Sequence, residues 1–240
     1  MKYFKWINVR LILMFALMLF LFSFTSKRNE MRKLKQSEVI FVGENNLFVS
    51  NEVVNKLLIE NKSDANTISK DKVDLNRLEK SINDQEMIEK SEVFVSIDGV
   101  LKAIVKQKTP IARVFNDSES FYIDYMGNRM PLSENFTAHV PIVSGVIQEK
   151  NNTEITKLLR IIYNDSFLKK NIIGIQIFPL GSVKLTNRNF DYEIDFGQTI
   201  NMERKLSNYK AFFQKAVLDS SINKYKKINL KFTQQVVCTK

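Results

Sequence analysis

The residue types that carry most covalent chemistry are scarce in this 240-residue chain, which has one cysteine, Cys238, and one histidine, His139. Zinc sites need several Cys or His ligands and thiol redox motifs need a second Cys, so a metal would have to be held by carboxylates alone. A Cys/His nucleophilic pair is opposed by the place of Cys238 near the chain end, where fraying works against a preorganised site. His139 precedes Val140-Pro141 in a strand-like run and reads as a polar side chain on a sheet surface. Asp191, Glu193 and Asp195 alternate along one strand and so share a face, a conceivable carboxylate cluster; the plainer reading is the solvent face of a hairpin. Asp124 beside Gly127 reads as turn chemistry. No phosphate loop, dinucleotide fingerprint, nucleophile elbow or His-Glu-x-x-His helix is present, and the seven glycines are too scattered to build the first two. The residues therefore predict no enzyme, no cofactor and no metal.

What the spacing offers instead is a binding edge. In residues 225–232, Ile228, Leu230 and Phe232 alternate with Lys227, Asn229 and Lys231, the pattern of a half-buried strand, and residues 233–238 remain β-prone. Edge strands expose unpaired N–H and C=O groups, and proteins place lysines there to discourage indiscriminate pairing. The same edge can accept a chosen peptide, with main-chain bonds giving affinity and alternate side chains giving specificity. Lys224, Lys226, Lys227 and Lys231 either steer an acidic partner to that edge or merely keep it soluble; composition leaves both readings open.

With 44% apolar and 26% charged residues the chain has the composition of one or two folded domains, and four prolines and one cysteine exclude collagen, linker and disulfide-framed classes. The net charge of +10 invites a nucleic-acid reading until it is located. Residues 1–35 hold eight Lys/Arg and one acid, and residues 199–240 hold nine and two, leaving the middle with 19 bases against 23 acids. A duplex binder would spread its bases over the folded face, so no nucleic-acid partner is expected.

Residues 11–26 carry no charge and are bounded by Arg10 on one side and Lys27-Arg28 on the other. Sixteen residues rise only about 24 Å against a hydrocarbon core of about 30 Å. Snorkelling by Arg10 and Lys27, with Trp6 and Tyr3 in the interfacial belt, would close the gap. Phe22, Phe24 and Lys27-Arg28 stand where a signal peptidase site would need small residues, which favours an uncleaved anchor. Basic residues flank both ends, so charge leaves the orientation open.

The remaining pattern is α+β. Residues 36–43 read as a strand. Ser50 caps a helix bearing Val53, Val54, Leu57 and Leu58, and Asp74 caps a second bearing Leu75, Leu78 and Ile82. Two strands, 92–97 and 100–105, flank Asp98-Gly99 as a two-residue type I′ turn. This β-α-α-β-β unit is followed by strands at 111–115, 121–125 and 129–132 and a helix opened by Thr153 with Ile155, Leu158, Leu159 and Ile162. Strands at 172–178, 183–186 and 192–196 come next, and Met202, Leu206, Tyr209, Phe213 and Val217 then stripe a long helix.

The layout resembles the bacterial cell-division family FtsQ/DivIB. The resemblance is carried by Val39-Ile40-Phe41-Val42-Gly43, Val73-Asp74-Leu75-Asn76, Val93-Phe94-Val95 and Lys106-Gln107-Lys108-Thr109-Pro110. Its later carriers are Tyr122-Ile123-Asp124 with Gly127, Met130-Pro131-Leu132, and Val140-Pro141-Ile142 with Gly145. It implies a cytoplasmic tail (1–10), a transmembrane anchor (11–26), a POTRA domain (36–110) and a β domain (111–240) of antiparallel strands with flanking helices. It also implies a single-pass inner-membrane protein at the septum, N-terminus in the cytoplasm and bulk in the periplasm. The resemblance implies a non-enzymatic scaffold that binds the coiled-coil proteins FtsB and FtsL through the last strand of the β domain, with other divisome membrane proteins as further partners and the POTRA domain and anchor serving recruitment to the septum. Carried over, Lys231 and Phe232 correspond to the basic-aromatic pair of that strand, and Thr233, Gln234, Gln235, Val236 and Val237 to the edge that pairs. The rivals from other classes are a POTRA-bearing chaperone that binds many unfolded strands and a secreted enzyme released by signal cleavage.

Overall fold

Helix formation does not stop at a single charge, and the apolar run near the N-terminus extends through its flanks. In the computed structural model, α1 spans Trp6–Glu30, and its stretch Asn8–Arg28 has 21 residues and a mean hydropathy of 2.1, none of it buried. That stretch rises about 32 Å, enough by itself to cross a hydrocarbon core. Arg10, Lys27 and Arg28 are exposed parts of the helix, and Tyr3 lies outside the described residues. The structure describes residues 6–30, 32–43, 46–59, 65–70, 73–115, 119–145 and 149–240. It divides into two units, Met1–Gln107 and Lys108–Lys240.

Beyond α1 the first unit contains β1 (Gln36–Val42), α2 (Asn51–Leu58), α3 (Leu75–Asn83), β2 (Ile88–Val95) and β3 (Val100–Gln107). β3 is central, parallel to β1 and antiparallel to β2. A parallel pair needs a crossover, which α2 and α3 supply. Val54 and Leu58 of α2 and Leu78 and Ile82 of α3 are buried, as are Leu101, Ala103 and Val105 of β3, while Val53 points outward. Asp74 caps α3 by accepting from the Arg77 N–H at 3.0 Å. Ser50 precedes α2 but makes no side-chain cap bond; its hydroxyl is bonded to the Glu52 carboxylate, which holds that pKa low.

The β2–β3 turn has three loop residues, not two. Ser96 and Val100 close it, with Ser96 N–H donating to Val100 O at 2.9 Å and Gly99 N–H to Ser96 O at 3.0 Å. Only Gly99 has positive φ, +86°, and Asp98 does not. A type I′ turn needs both central residues there, so a three-residue loop with one left-handed glycine forms instead. Gln107, 3% exposed, ends β3 as a clamp. Its Oε1 accepts from the Phe48 and Val49 N–H groups at 2.9 and 3.2 Å, and its Nε2 donates to Val49 O at 2.9 Å.

The second unit contains β4 (Pro110–Phe115), β5 (Ser120–Asp124), β6 (Arg129–Met130), β7 (Ile142–Gly145), α4 (Glu149–Asn164), α5 (Ser166–Asn171), β8 (Ile172–Ile177), β9 (Val183–Asn187), β10 (Glu193–Gly197), α6 (Met202–Leu218), β11 (Lys227–Asn229) and β12 (Val237–Thr239). They form one nine-stranded sheet in the order β12-β11-β10-β9-β8-β7-β4-β5-β6. The sheet is mixed, not purely antiparallel: β4, β7 and β8 run parallel in succession, and β10 is parallel to β11. The helices α4 and α5 between β7 and β8, and α6 between β10 and β11, make those crossovers possible. Ile155, Leu158, Leu159 and Ile162 of α4 join Ile175, Ile177, Leu185, Ile194 and Phe196 of the sheet in one core. His139 is exposed in an irregular segment before β7, not in a strand, and the Pro141 carbonyl accepts from the Arg113 N–H. Asp124 does shape its turn: its Oδ1 accepts from the Asn128 N–H at 2.7 Å.

Candidate functional site

Two faces of the sheet meet at β10, and the alternation of its residues decides what each presents. Ile194 and Phe196 enter the core, while Glu193 and Asp195 turn to the other face. There β10 lies between Lys184 of β9, opposite Asp195, and Lys227 of β11, opposite Glu193. Glu193 pairs with Lys184. Asp195 is only 6% exposed and binds two lysines, with Lys231 at 2.9 Å and Lys227 at 3.3 Å. Burial raises the Asp195 pKa, but the two lysine ammonium groups outweigh it and hold the carboxyl below its ordinary range. The three acids seen in the sequence are thus not a cluster. Asp191 is exposed ahead of the strand, and among the described residues no three His, Cys, Asp or Glu side chains gather as a metal site.

This arrangement relocates several residues expected at the edge. The strand foreseen over 225–232 is only the three residues of β11. Its pairing stops because Asn229 Oδ1 accepts from the Lys231 N–H at 2.9 Å, a local turn that lifts the backbone off the ladder. Lys231 then folds back over β10, where a Cβ on Gly197 would sit 2.7 Å from its Cγ. Phe232, Thr233, Gln234, Gln235 and Val236 connect β11 to β12, with the Thr233 carbonyl held by Asn208 Nδ2 at 3.0 Å. Val237 opens β12. Of the lysines, Lys227 and Lys231 are committed to Asp195, whereas Lys224 and Lys226 are exposed.

The hydrogen-bond parity of β11 fixes which groups of β12 face outward. Glu193 N–H donates to Lys226 O and Leu230 N–H donates to Asp195 O, so Ile228, Leu230 and the Lys226 carbonyl address β10, while the Lys226 N–H turns the other way and donates to Thr239 O at 2.8 Å. Lys227 and Asn229 therefore address β12 and bond with their partners Thr239 and Val237. The Cys238 backbone N–H and C=O are left on the free margin, and those of Val236 and Lys240 continue that line. The Val236 and Cys238 side chains pack partly on the core, as do Tyr225 and Phe212, whose rings meet edge to face at 5.5 Å. Burial raises the Cys238 thiol pKa, making it an apolar contact and not a nucleophile at neutral pH.

Two buried polar groups of α6 add to the site: Lys205, which the sequence did not single out, and Tyr209, which it offered only as part of the apolar stripe. Lys205 is 1% exposed, donates to Phe196 O and Gln198 O at 3.0 and 2.8 Å, and has its pKa lowered by burial. Its signal was a position at i+3 within the apolar stripe of Met202, Leu206 and Tyr209. Tyr209 accepts from Asn187 Nδ2 at 2.9 Å and shares a 2.8 Å bond with Tyr192; burial raises both phenol pKa values. These bonds tie α6 to the ends of β9 and β10.

Among the described residues the sheet ends on β12 at one side and on β6 at the other. The family model "FtsQ/DivIB, C-terminal related" matches residues 109–239, nearly all of the second unit and more than half of the chain. The chain belongs to the FtsQ/DivIB family, whose role is that of a cell-division scaffold. Among solved structures, the major extracytoplasmic domain of the trans isomer of the cell division protein DivIB from Geobacillus stearothermophilus is similar at 20% identity. That alignment covers 48% of this chain and 98% of that one, with a TM-score of 0.35. A search of curated proteins returns no match. Family membership and the long apolar α1 together fit a single-pass membrane protein.

Proposed function

We propose that this chain is a non-enzymatic scaffold of the division machinery that captures FtsB and FtsL by adding one of their strands to the outer margin of β12. In this reading residues 36–110 are a POTRA domain and residues 111–240 the β domain. Both lie in the periplasm at the septum, with the N-terminus in the cytoplasm and α1 in the inner membrane. Anchoring both partners in one membrane raises their effective concentration, so a short edge suffices. Lys224 and Lys226 steer an acidic partner, while Lys227 and Lys231 shape the edge through Asp195.

The observation that supports this reading most is the termination of a nine-stranded sheet on β12. In this reading the pairing groups are the backbones of Val236, Cys238 and Lys240 instead of residues 233–237, because the parity of β11 leaves those groups facing outward. Proline at Cys238 removes an outward N–H and no internal bond, a change that edge strands tolerate. The variant is expected to keep its melting temperature within a few degrees and to bind purified FtsB about tenfold more weakly, the cost of one unmade buried hydrogen bond. Unchanged affinity would reject strand addition at this margin.

A further inference from the structure

Ile97, at the tip of the β2–β3 turn, is 95% exposed. Single exposed apolar residues are ordinary, but this one has unusual neighbours. The backbone of Lys35 donates to Gly99 O at 2.8 Å, and the Gly99 Cβ position lies 3.6 Å from Lys33 O and 3.7 Å from Lys35 Cγ. The tip therefore sits against residues 32–35, the segment that follows α1. That segment is fixed to the unit, with Leu34 N–H donating to Ile68 O at 3.0 Å and Lys70 N–H to Arg32 O at 2.9 Å. Arg32, Lys33 and Lys35 are exposed and Lys70 is half-buried; Asp98 is the acid in the tip itself.

The chain length decides what this patch faces. Arg28 closes the apolar stretch of α1 and Arg32 is already bonded to the folded unit. Four residues reach at most about 14 Å, comparable with the interfacial layer of about 5–8 Å plus a side chain. A basic patch with one protruding apolar side chain is thus held within reach of a bilayer surface.

We propose that the β2–β3 tip docks on the membrane that α1 spans, Ile97 entering the interfacial layer and Arg32, Lys33, Lys35 and Lys70 contacting anionic headgroups. Basic side chains at such a surface each contribute about a fivefold preference, so neutralising two lowers the docked-to-undocked ratio about thirtyfold. The docking rests on α1 crossing a bilayer and does not depend on the β12 margin.

The test uses the full chain carrying Cys238→Ser, reconstituted in phosphatidylglycerol vesicles, with a fluorophore on a single cysteine at Asp98 or at Glu86. Glu86 is exposed at the opposite end of β2. The label at 98 is expected to be quenched by headgroup spin-labelled lipid and shielded from aqueous acrylamide, and the label at 86 to behave oppositely. Lys33→Gln with Lys35→Gln, or Ile97→Asp, should return the label at 98 to water while circular dichroism remains unchanged, and phosphatidylcholine vesicles should do the same. Equal acrylamide access at 98 and 86, or shielding at 98 that ignores lipid charge and the lysine substitutions, overturns the proposal.

Discussion

Asp195→Asn isolates the charge that ties the end of the sheet together. The substitution keeps the shape of the side chain and the bond from Leu230 N–H to the residue 195 carbonyl, but removes the anion between Lys227 and Lys231. The Asp195 side chain is 9% exposed, while the lysine side chains are 42% and 51% exposed, so both ammonium groups regain much of their hydration when the anion is lost. The cost is therefore well below that of a fully buried pair, about 1–2 kcal/mol, or a fall of roughly 3–8 °C in Tm for a domain of this size. The pH dependence gives the sharper signature. The folded Asp195 pKa is depressed, so its stabilisation is fully present above the ordinary carboxylate value of about 4 and is lost as pH falls through the lower folded value. Thermal unfolding followed by circular dichroism at pH 7 and at pH 3 should show a gap between wild type and variant that narrows in acid. A gap of the same size at both pH values, or none at pH 7, would refute the assignment of Asp195 as the charged tie.

Gln107→Leu removes the three hydrogen bonds that join this side chain to the backbones of Phe48 and Val49, and the expected loss of about 2–4 kcal/mol is readable as a lower urea midpoint. Tyr209→Phe removes the shared partner of Asn187 and Tyr192 at an expected cost of about 1–2 kcal/mol, and it should speed amide exchange where α6 meets β9 and β10. Reversing Lys224 and Lys226 to Glu should slow association with an acidic partner and flatten its salt dependence. Stopped-flow rates across ionic strength check that outcome.

Much of this architecture was legible because its elements carry strong periods. The stripe Ile155, Leu158, Leu159 and Ile162 placed α4, and the alternation in 183–186 and 192–196 placed β9 and β10. Elements too short for a period escaped. α5 is six residues, stabilised by Asp165, whose Oδ1 accepts from the Phe167 and Leu168 N–H groups at 2.9 Å and whose Oδ2 binds Lys210 at 2.8 Å. β7 is four residues and is parallel to both neighbours, so nothing local defines it. The end of the chain misled for the opposite reason. Its alternation persists through Phe232, but Asn229 turns the backbone and Asp195 captures Lys231, two interactions that sequence spacing does not encode. The Asp195 pairings depend on which strand lands beside which, and that is decided by the crossover through α6.

The most direct measurement is residue-resolved hydrogen exchange across 236–240, with and without the purified FtsB–FtsL partner. Strand addition at the β12 margin predicts that the Val236 and Cys238 amides become slow on binding, while Val237 and Thr239, already bonded to β11, barely change. Protection confined to another surface, or exchange across 236–240 that binding leaves untouched, would contradict it.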